Sequence, residues 1–188
     1  FHSSYTRVGG VLFDVTNDWI QLVRDFVKGF EKTHAEVHHL LTRNRIFIDR
    51  VKGIGVLSKA DAINFSCTGP IARASGVVRD LRKDEPYLAY SDFEFKVICA
   101  QAGDCFARYL VRMQEMLESL KIISQAIENV PSGPINIDSE SKDVIPAKPD
   151  VYRSIESLIQ HFEVIMPNRG FDVPVNEIYA ATESPNGE

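Results

Sequence analysis

Residues 103–128, GDCFARYLVRMQEMLESLKIISQAIE, decide how this chain folds. Asp104, directly after Gly103, is an N-cap candidate because its carboxylate can accept an N–H of the first helical turn. From there Phe106, Tyr109 or Leu110, Met113, Met116 or Leu117, Leu120, Ile123 and Ile127 recur at helical spacing until Pro131 ends the run. The spacing predicts one amphipathic helix of about seven turns.

A second periodic stretch lies upstream, with Ile20, Val23, Val27, Phe30, Val37 and Leu41 alternating at three and four and His34 filling the remaining place. Thr16 or Asp14 can cap it, and Asn17-Asp18 would set negative charge on its first turn, where the helix dipole favours it. A break is expected near Thr42 to Asn44, followed by a short helix over Arg45 to Val51. Ser58 with Asp61 marks another short helix, and a third longer one is predicted from Asp150 to Met166 with Ile155, Leu158, Ile159 and Phe162 inward. Matching apolar faces predict a mainly α fold, a helical bundle of long amphipathic helices with a few short marginal β-strands.

Two strands are read at that margin: Phe93, Phe95 and Val97 in weak alternation, and Ile178 to Thr182 ahead of the turn Ser184-Pro185-Asn186-Gly187. Cys67 to Gly76 is small and turn-rich, suited to close backbone approach more than to a regular element. Gly9-Gly10 marks a turn near the start. Residues 1–188 read as a single helical-core domain, with 131–149, carrying Pro131, Pro134, Pro146 and Pro149, as a Pro-rich excursion loop. Phe1 in place of an initiator Met, and a final turn that ordinarily leads into a strand, give the expectation of an internal fragment of a longer chain.

The 188 residues suffice for one domain with a core, and 44% hydrophobic with 25% charged residues is an ordinary globular composition. No window approaches 18 consecutive apolar residues. A net charge of -5 leaves no broad basic face, so nucleic acid is not an expected partner. Three cysteines, Cys67, Cys99 and Cys105, suggest neither a disulfide framework nor a zinc ribbon and fit a reducing, cytoplasmic setting.

Candidate chemistry has a bland reading beside it at each point. His34, His38 and His39 invite a metal, since residues four apart share a helix face, but lack a partner cluster, and a partly buried polar stretch is favoured. Cys99 and Cys105 flank the long helix's start, where the dipole can stabilise a thiolate; an inert half-buried thiol is favoured. Arg73, Arg79, Arg82 and Lys83 could hold an anion by bidentate pairing, though ion pairs with Asp80, Asp84 and Glu85 are the favoured use. Along the long helix, Arg108 and Arg112 are spaced to pair with Glu115 and Glu118, and Met113 and Met116 read as core fillers.

Six segments in order resemble one family. They are Phe1-His2-Ser3-Ser4-Tyr5-Thr6-Arg7-Val8-Gly9-Gly10-Val11; Leu41-Thr42-Arg43-Asn44-Arg45-Ile46; Ser75-Gly76 with Asp80-Leu81-Arg82-Lys83 and Pro86-Tyr87; Gly103-Asp104-Cys105 with Arg108-Tyr109, Arg112, Glu115-Met116 and Ser119-Leu120; Ser157-Leu158-Ile159-Gln160-His161-Phe162; and Glu183-Ser184-Pro185-Asn186-Gly187-Glu188. The chain resembles the hydrogenase-like large peripheral-arm subunits, the D subunits, of proton-pumping NADH:quinone oxidoreductase, respiratory complex I. The resemblance implies a fold like the large subunit of nickel-iron hydrogenases and a place where the terminal iron-sulfur cluster, held by a neighbouring subunit, reduces quinone. It matches His2 to the family histidine beside that cluster and Arg7 to an arginine of the same region, while Val8 stands where the family has Pro. The family's quinone-headgroup His and Tyr belong to segments upstream of Phe1. The resemblance implies no cofactor held by the chain itself and no catalysis by it alone. Implied partners are quinone, the cluster-bearing B subunit, the C and I subunits of the peripheral arm, and the H subunit of the membrane arm. The implied place is peripheral, on the cytoplasmic face of the bacterial inner membrane or the mitochondrial matrix side. Two other readings remain at this point: a fragment of an energy-converting nickel-iron hydrogenase large subunit, and a free-standing helical interaction module.

Overall fold

In the computed structural model, residues 5–7, 9–137, 144–166 and 175–188 are described. They are mainly helical and form two compact units, one of residues 16–130 with 180–188 and one of residues 1–15 with 131–179.

The larger unit begins with α1, Asn17–Val37, where the Thr16 hydroxyl accepts from the Trp19 N–H and Asp18 sits in the first turn. The chain continues without a break into a π-helical turn, His38–Thr42. Asn44 then caps α2, Arg45–Val51, by accepting from the Ile46 and Phe47 N–H groups. Ser58 caps α3, Lys59–Asn64, with its hydroxyl on the Asp61 N–H. The small-residue stretch that reads as irregular forms α4, Gly69–Ala74, because Pro70 supplies a fixed φ and no orphan N–H at the first turn. The close approach expected there is also present: Gly69 and Gly187 have φ of 65° and 128°, and a Cβ on either would strike the other's backbone. Asp80 caps α5, Leu81–Asp84, and a 3₁₀ turn occupies Tyr90–Asp92.

The long helix, α6, runs Cys105–Glu128 from its Asp104 cap. Of the expected stripe Met113, Leu120 and Ile127 are buried, and Ala107 and Val111, outside that stripe, are buried with them. The difference has a packing cause, since α6 is wedged between α1 and α4 and needs two buried faces. Ala107 and Val111 meet Ala74 of α4, with Ile98 and Ala100 packed around them. Small side chains let the short α4 come close, which periodicity weighted to large residues overlooks.

Residues 93–98 belong to no strand, although Phe93 itself is extended. Their backbone bonds go to side chains of α6: the Gln125 amide receives the Glu94 N–H at 2.8 Å and donates to the Glu94 carbonyl at 2.9 Å, and Glu118 receives the Lys96 N–H at 2.9 Å. The strand expected from the alternation does not form, and helix side chains take the place of a ladder. Likewise, Ile178 to Thr182 forms no strand, while Ser184 and Gly187 close the expected turn as an antiparallel bridge.

In the smaller unit, β1, Thr6–Arg7, pairs antiparallel with β2, Gly10–Val11, with Arg7 opposite Gly10. Part of the Pro-rich stretch is pinned to this hairpin: Val11 N–H donates to Ile135 O at 2.8 Å and Ile137 N–H to Gly9 O at 3.1 Å. The helix expected over 150–166 is divided. A single turn, α7, Lys148–Val151, gives way to α8, Ile155–Ile165, because Ser154 adopts an extended conformation and caps a new start. Of the residues expected inward on α8, Leu158 is half-buried, but Ile155, Ile159 and Phe162 are exposed. No helix among the described residues is long and apolar enough to cross a membrane.

Candidate functional site

Arg73 is the best-enclosed cation among the described residues of the larger unit, 2% exposed among the small residues of α4. A buried guanidinium needs acceptors for its donors and charges to balance it. Its Nε donates to Glu115 of α6 at 2.7 Å, and its Nη1 donates to Glu183 at 2.8 Å and to the Arg79 carbonyl at 2.9 Å. Asp80, 1% exposed, lies 3.9 Å from Arg73 and takes Arg82 through two guanidinium bonds of 2.9 and 2.7 Å. Arg82 also lies over the Phe95 ring, 4.9 Å from its centroid.

The electrostatics follow from this arrangement. Burial alone would lift the Asp80 carboxyl, but the bond and charge of Arg82 outweigh it and hold the group below its ordinary value. Glu115 goes the other way, because burial pushes it up and its pairing with Arg73 offsets only part of that. Arg73 itself is raised: burial opposes its charge, and Glu183 and Glu115 overcome the penalty.

The final residues are laced onto the same place. Glu183 Oε2 accepts the Leu81 N–H, the Tyr87 hydroxyl receives the Glu183 N–H at 3.0 Å, and the Glu188 N–H donates to the Thr68 hydroxyl at 3.0 Å. The anion reading of Arg73, Arg79, Arg82 and Lys83 thus resolves into internal pairing, with a partly different set of partners than expected. Asp80 is among them, while Asp84 accepts the Asp80 N–H and Glu115 and Glu183 take the remaining roles. Arg79 meets Glu188 at 3.3 Å, and Lys83 donates to the Phe93 carbonyl. The sequence carried one usable signal, a single Arg among glycines and alanines, but nothing local points to acceptors 42 and 110 positions away.

The pairing expected along α6 does not form. Arg108 instead donates to the carbonyls of Gly103 at 2.7 Å and Gly55 at 2.8 Å, and Arg112 to the Arg108 carbonyl, while Glu118 pairs with Lys121. Arg108 thereby stitches the start of α6 to the loop before α3, as does Asp104, whose second oxygen accepts the Gly53 N–H at 2.7 Å. Burial would raise the Asp104 carboxyl, but that bond and the cap outweigh it and keep the group low.

His34 on α1 and His38 on its π-helical extension serve as hydrogen-bonding groups. His34 Nε2 sits 2.8 Å from the Met113 carbonyl, and His38 Nδ1 sits 2.9 Å from the Thr42 hydroxyl, itself 2.9 Å from that of Tyr109. Among the described residues no three His, Cys, Asp or Glu side chains converge as metal ligands. The three cysteines are free and half-buried, and burial pushes the Cys99 thiol up, so it stays neutral rather than becoming a nucleophile.

Of the two residues singled out near the start, His2 lies outside the described residues. Arg7 is placed by its backbone in β1, opposite Gly10 of β2.

The pattern of these segments is matched end to end by the family model described as the respiratory-chain NADH dehydrogenase, 49 Kd subunit, over residues 1–188. The chain belongs to this family. Curated relatives agree with the 49 Kd family match. The D subunit of the NADH-quinone oxidoreductase of Methylacidiphilum infernorum is 46% identical over 188 residues, covering 100% of this chain and 44% of that protein. Its counterpart from Pelobacter propionicus is 43% identical over 185 residues, 98% of this chain and 45% of that protein. The D subunit of Akkermansia muciniphila is 45% identical over 188 residues, 100% and 45% respectively. The chain thus spans less than half the length of these relatives.

Proposed function

We propose that the chain works within a proton-translocating NADH:quinone oxidoreductase, in electron transfer from the terminal iron-sulfur cluster to quinone, chiefly as scaffold and with His2 and Arg7 beside that cluster. The observation that carries this reading is the family match over all 188 residues, together with relatives named as D subunits of NADH-quinone oxidoreductase. The described donor set does not suit a resident cluster, since Cys67, Cys99 and Cys105 are not gathered with further ligands. By the family resemblance, the cluster is assigned to a neighbouring B subunit, with the C, I and H subunits as further contacts. The whole is peripheral to the membrane, on the cytoplasmic or matrix side. Residues 1–188 are read as one helical-core domain of a hydrogenase-like large subunit, with 131–149 as its excursion loop.

His2 has a physical role to play there. An imidazole close to a centre that gains negative charge binds its proton more tightly, so electron arrival and proton uptake are linked. Arg7, always charged, would instead lower the cost of that added electron without exchanging a proton. Replacing His2 by Met in the intact complex is expected to flatten the pH dependence of the terminal cluster's potential, read by redox titration, and an unchanged slope would sink the assignment.

A further inference from the structure

Two guanidiniums and three carboxylates meet around Arg73, so the fully ionised set of Arg73, Arg82, Asp80, Glu115 and Glu183 carries one negative charge in excess. None of the five side chains is more than 18% exposed. An enclosed, unbalanced charge is costly, and a carboxylate can relieve it by taking a proton. We propose that this cluster is a proton-binding site that holds one exchangeable proton on the Glu115 carboxyl.

Hydrogen bonding selects Glu115 from the three. Asp80 accepts the Nε, Nη2 and backbone N–H of Arg82, and Glu183 accepts from Arg73 and from the Leu81 N–H. Each donor favours the ionised form. Among the described residues Glu115 accepts one such bond, from Arg73 Nε. It is also the carboxylate that water can reach, 18% exposed against 1% for Asp80 and 5% for Glu183. The upward push of burial on Glu115 and the downward hold on Asp80 run in the same sense.

The neighbours on every packed element fit a single proton here. From α4 comes Arg73, from the turn into α5 come Asp80 and Arg82, and from the final segment comes Glu183. Cys99, ahead of α6, is pushed up chiefly by burial, with Arg73, Glu115 and Asp80 as the charges around it. From α1, His34 reaches α6 at the Met113 carbonyl, and on α2 the charged pair Arg45 and Asp49 is satisfied at the surface. With Glu115 protonated, the cluster is left with two cations and two anions. The Arg73–Glu183 and Arg82–Asp80 pairs then balance, and only the tie from α4 to α6 loses its ionic character.

Because the folded chain holds this proton more tightly than the unfolded chain, stability from Glu115 falls as pH rises from its unfolded to its folded value. The direct test is infrared difference spectroscopy between weakly acidic and neutral solution, on full-length protein carrying carboxyl-labelled glutamate. One glutamic acid C=O band is expected to vanish toward neutral pH, to shift with the label, and to be missing in Glu115→Gln. Absence of the band, its persistence in Glu115→Gln, or titration in the range of an exposed glutamate overturns the proposal. Glu115→Asp guards against a folding failure of the first variant: its shorter stem should move the midpoint, and an unmoved midpoint also overturns the assignment.

Discussion

Asp80 shows how one side chain sets the pH response of its surroundings. It is ionised, buried, and bonded to Arg82, with Arg73 within ion-pair distance. Removing one partner of such a set leaves an uncompensated cation, so Asp80→Asn is expected to cost about 3–5 kcal/mol at neutral pH, read by urea unfolding. Its folded value is depressed, so its stabilisation is complete above the unfolded value of roughly 3.9 and disappears as pH falls through the folded one. The variant should therefore lose part of the acid limb of the stability curve, and an acid limb as steep as wild type would contradict the pairing. Cations near residues 73–83 were visible in the sequence. Their acceptors were not, because a buried charge advertises a need for partners without saying where in the chain they lie.

At the scale of elements, the segment 93–98 depends on side chains of a helix instead of a neighbouring strand. Gln125 bonds both polar groups of Glu94, so Gln125→Ala should leave them to solvent at a cost of about 1 kcal/mol per bond. Amide exchange at Glu94 is expected to accelerate while the amides in the middle of α6 keep their protection. Acceleration across both would mean that the segment and helix open together. What was legible here was local: Thr16, Ser58 and Asp104 announce the helix starts they cap, and α2 lies where it was expected. Features settled by distant contacts were not. The alternation of Phe93, Phe95 and Val97 suggested a strand, whereas the bonding partners lie on α6. The second buried face of α6 rests on Ala107 and Val111 meeting Ala74, in an element far back along the chain.

For the molecule as a whole, apolar surface is left open in both units. Trp19, Leu22 and Phe26 of α1 are 48%, 68% and 54% exposed, and Ile155, Ile159 and Phe162 of α8 are 63%, 51% and 50% exposed. Stripes of this kind at helical spacing drive association. The chain by itself is expected to self-associate on size-exclusion chromatography with light scattering, and Phe26→Glu with Phe162→Glu should shift it toward monomer; a strictly monomeric, monodisperse wild-type chain would contradict this. The family assignment needed the order of segments along all 188 residues, whereas His2 and Arg7 were singled out by resemblance alone. The Arg73 bond to Glu183 spans 110 positions. At roughly 5–20 residues per second of synthesis, α4 emerges from the ribosome several seconds or more before its last anion does. During that interval Arg73 must stay hydrated, so the segment carrying Glu183 acts as a timer that closes the larger unit only when translation has passed it.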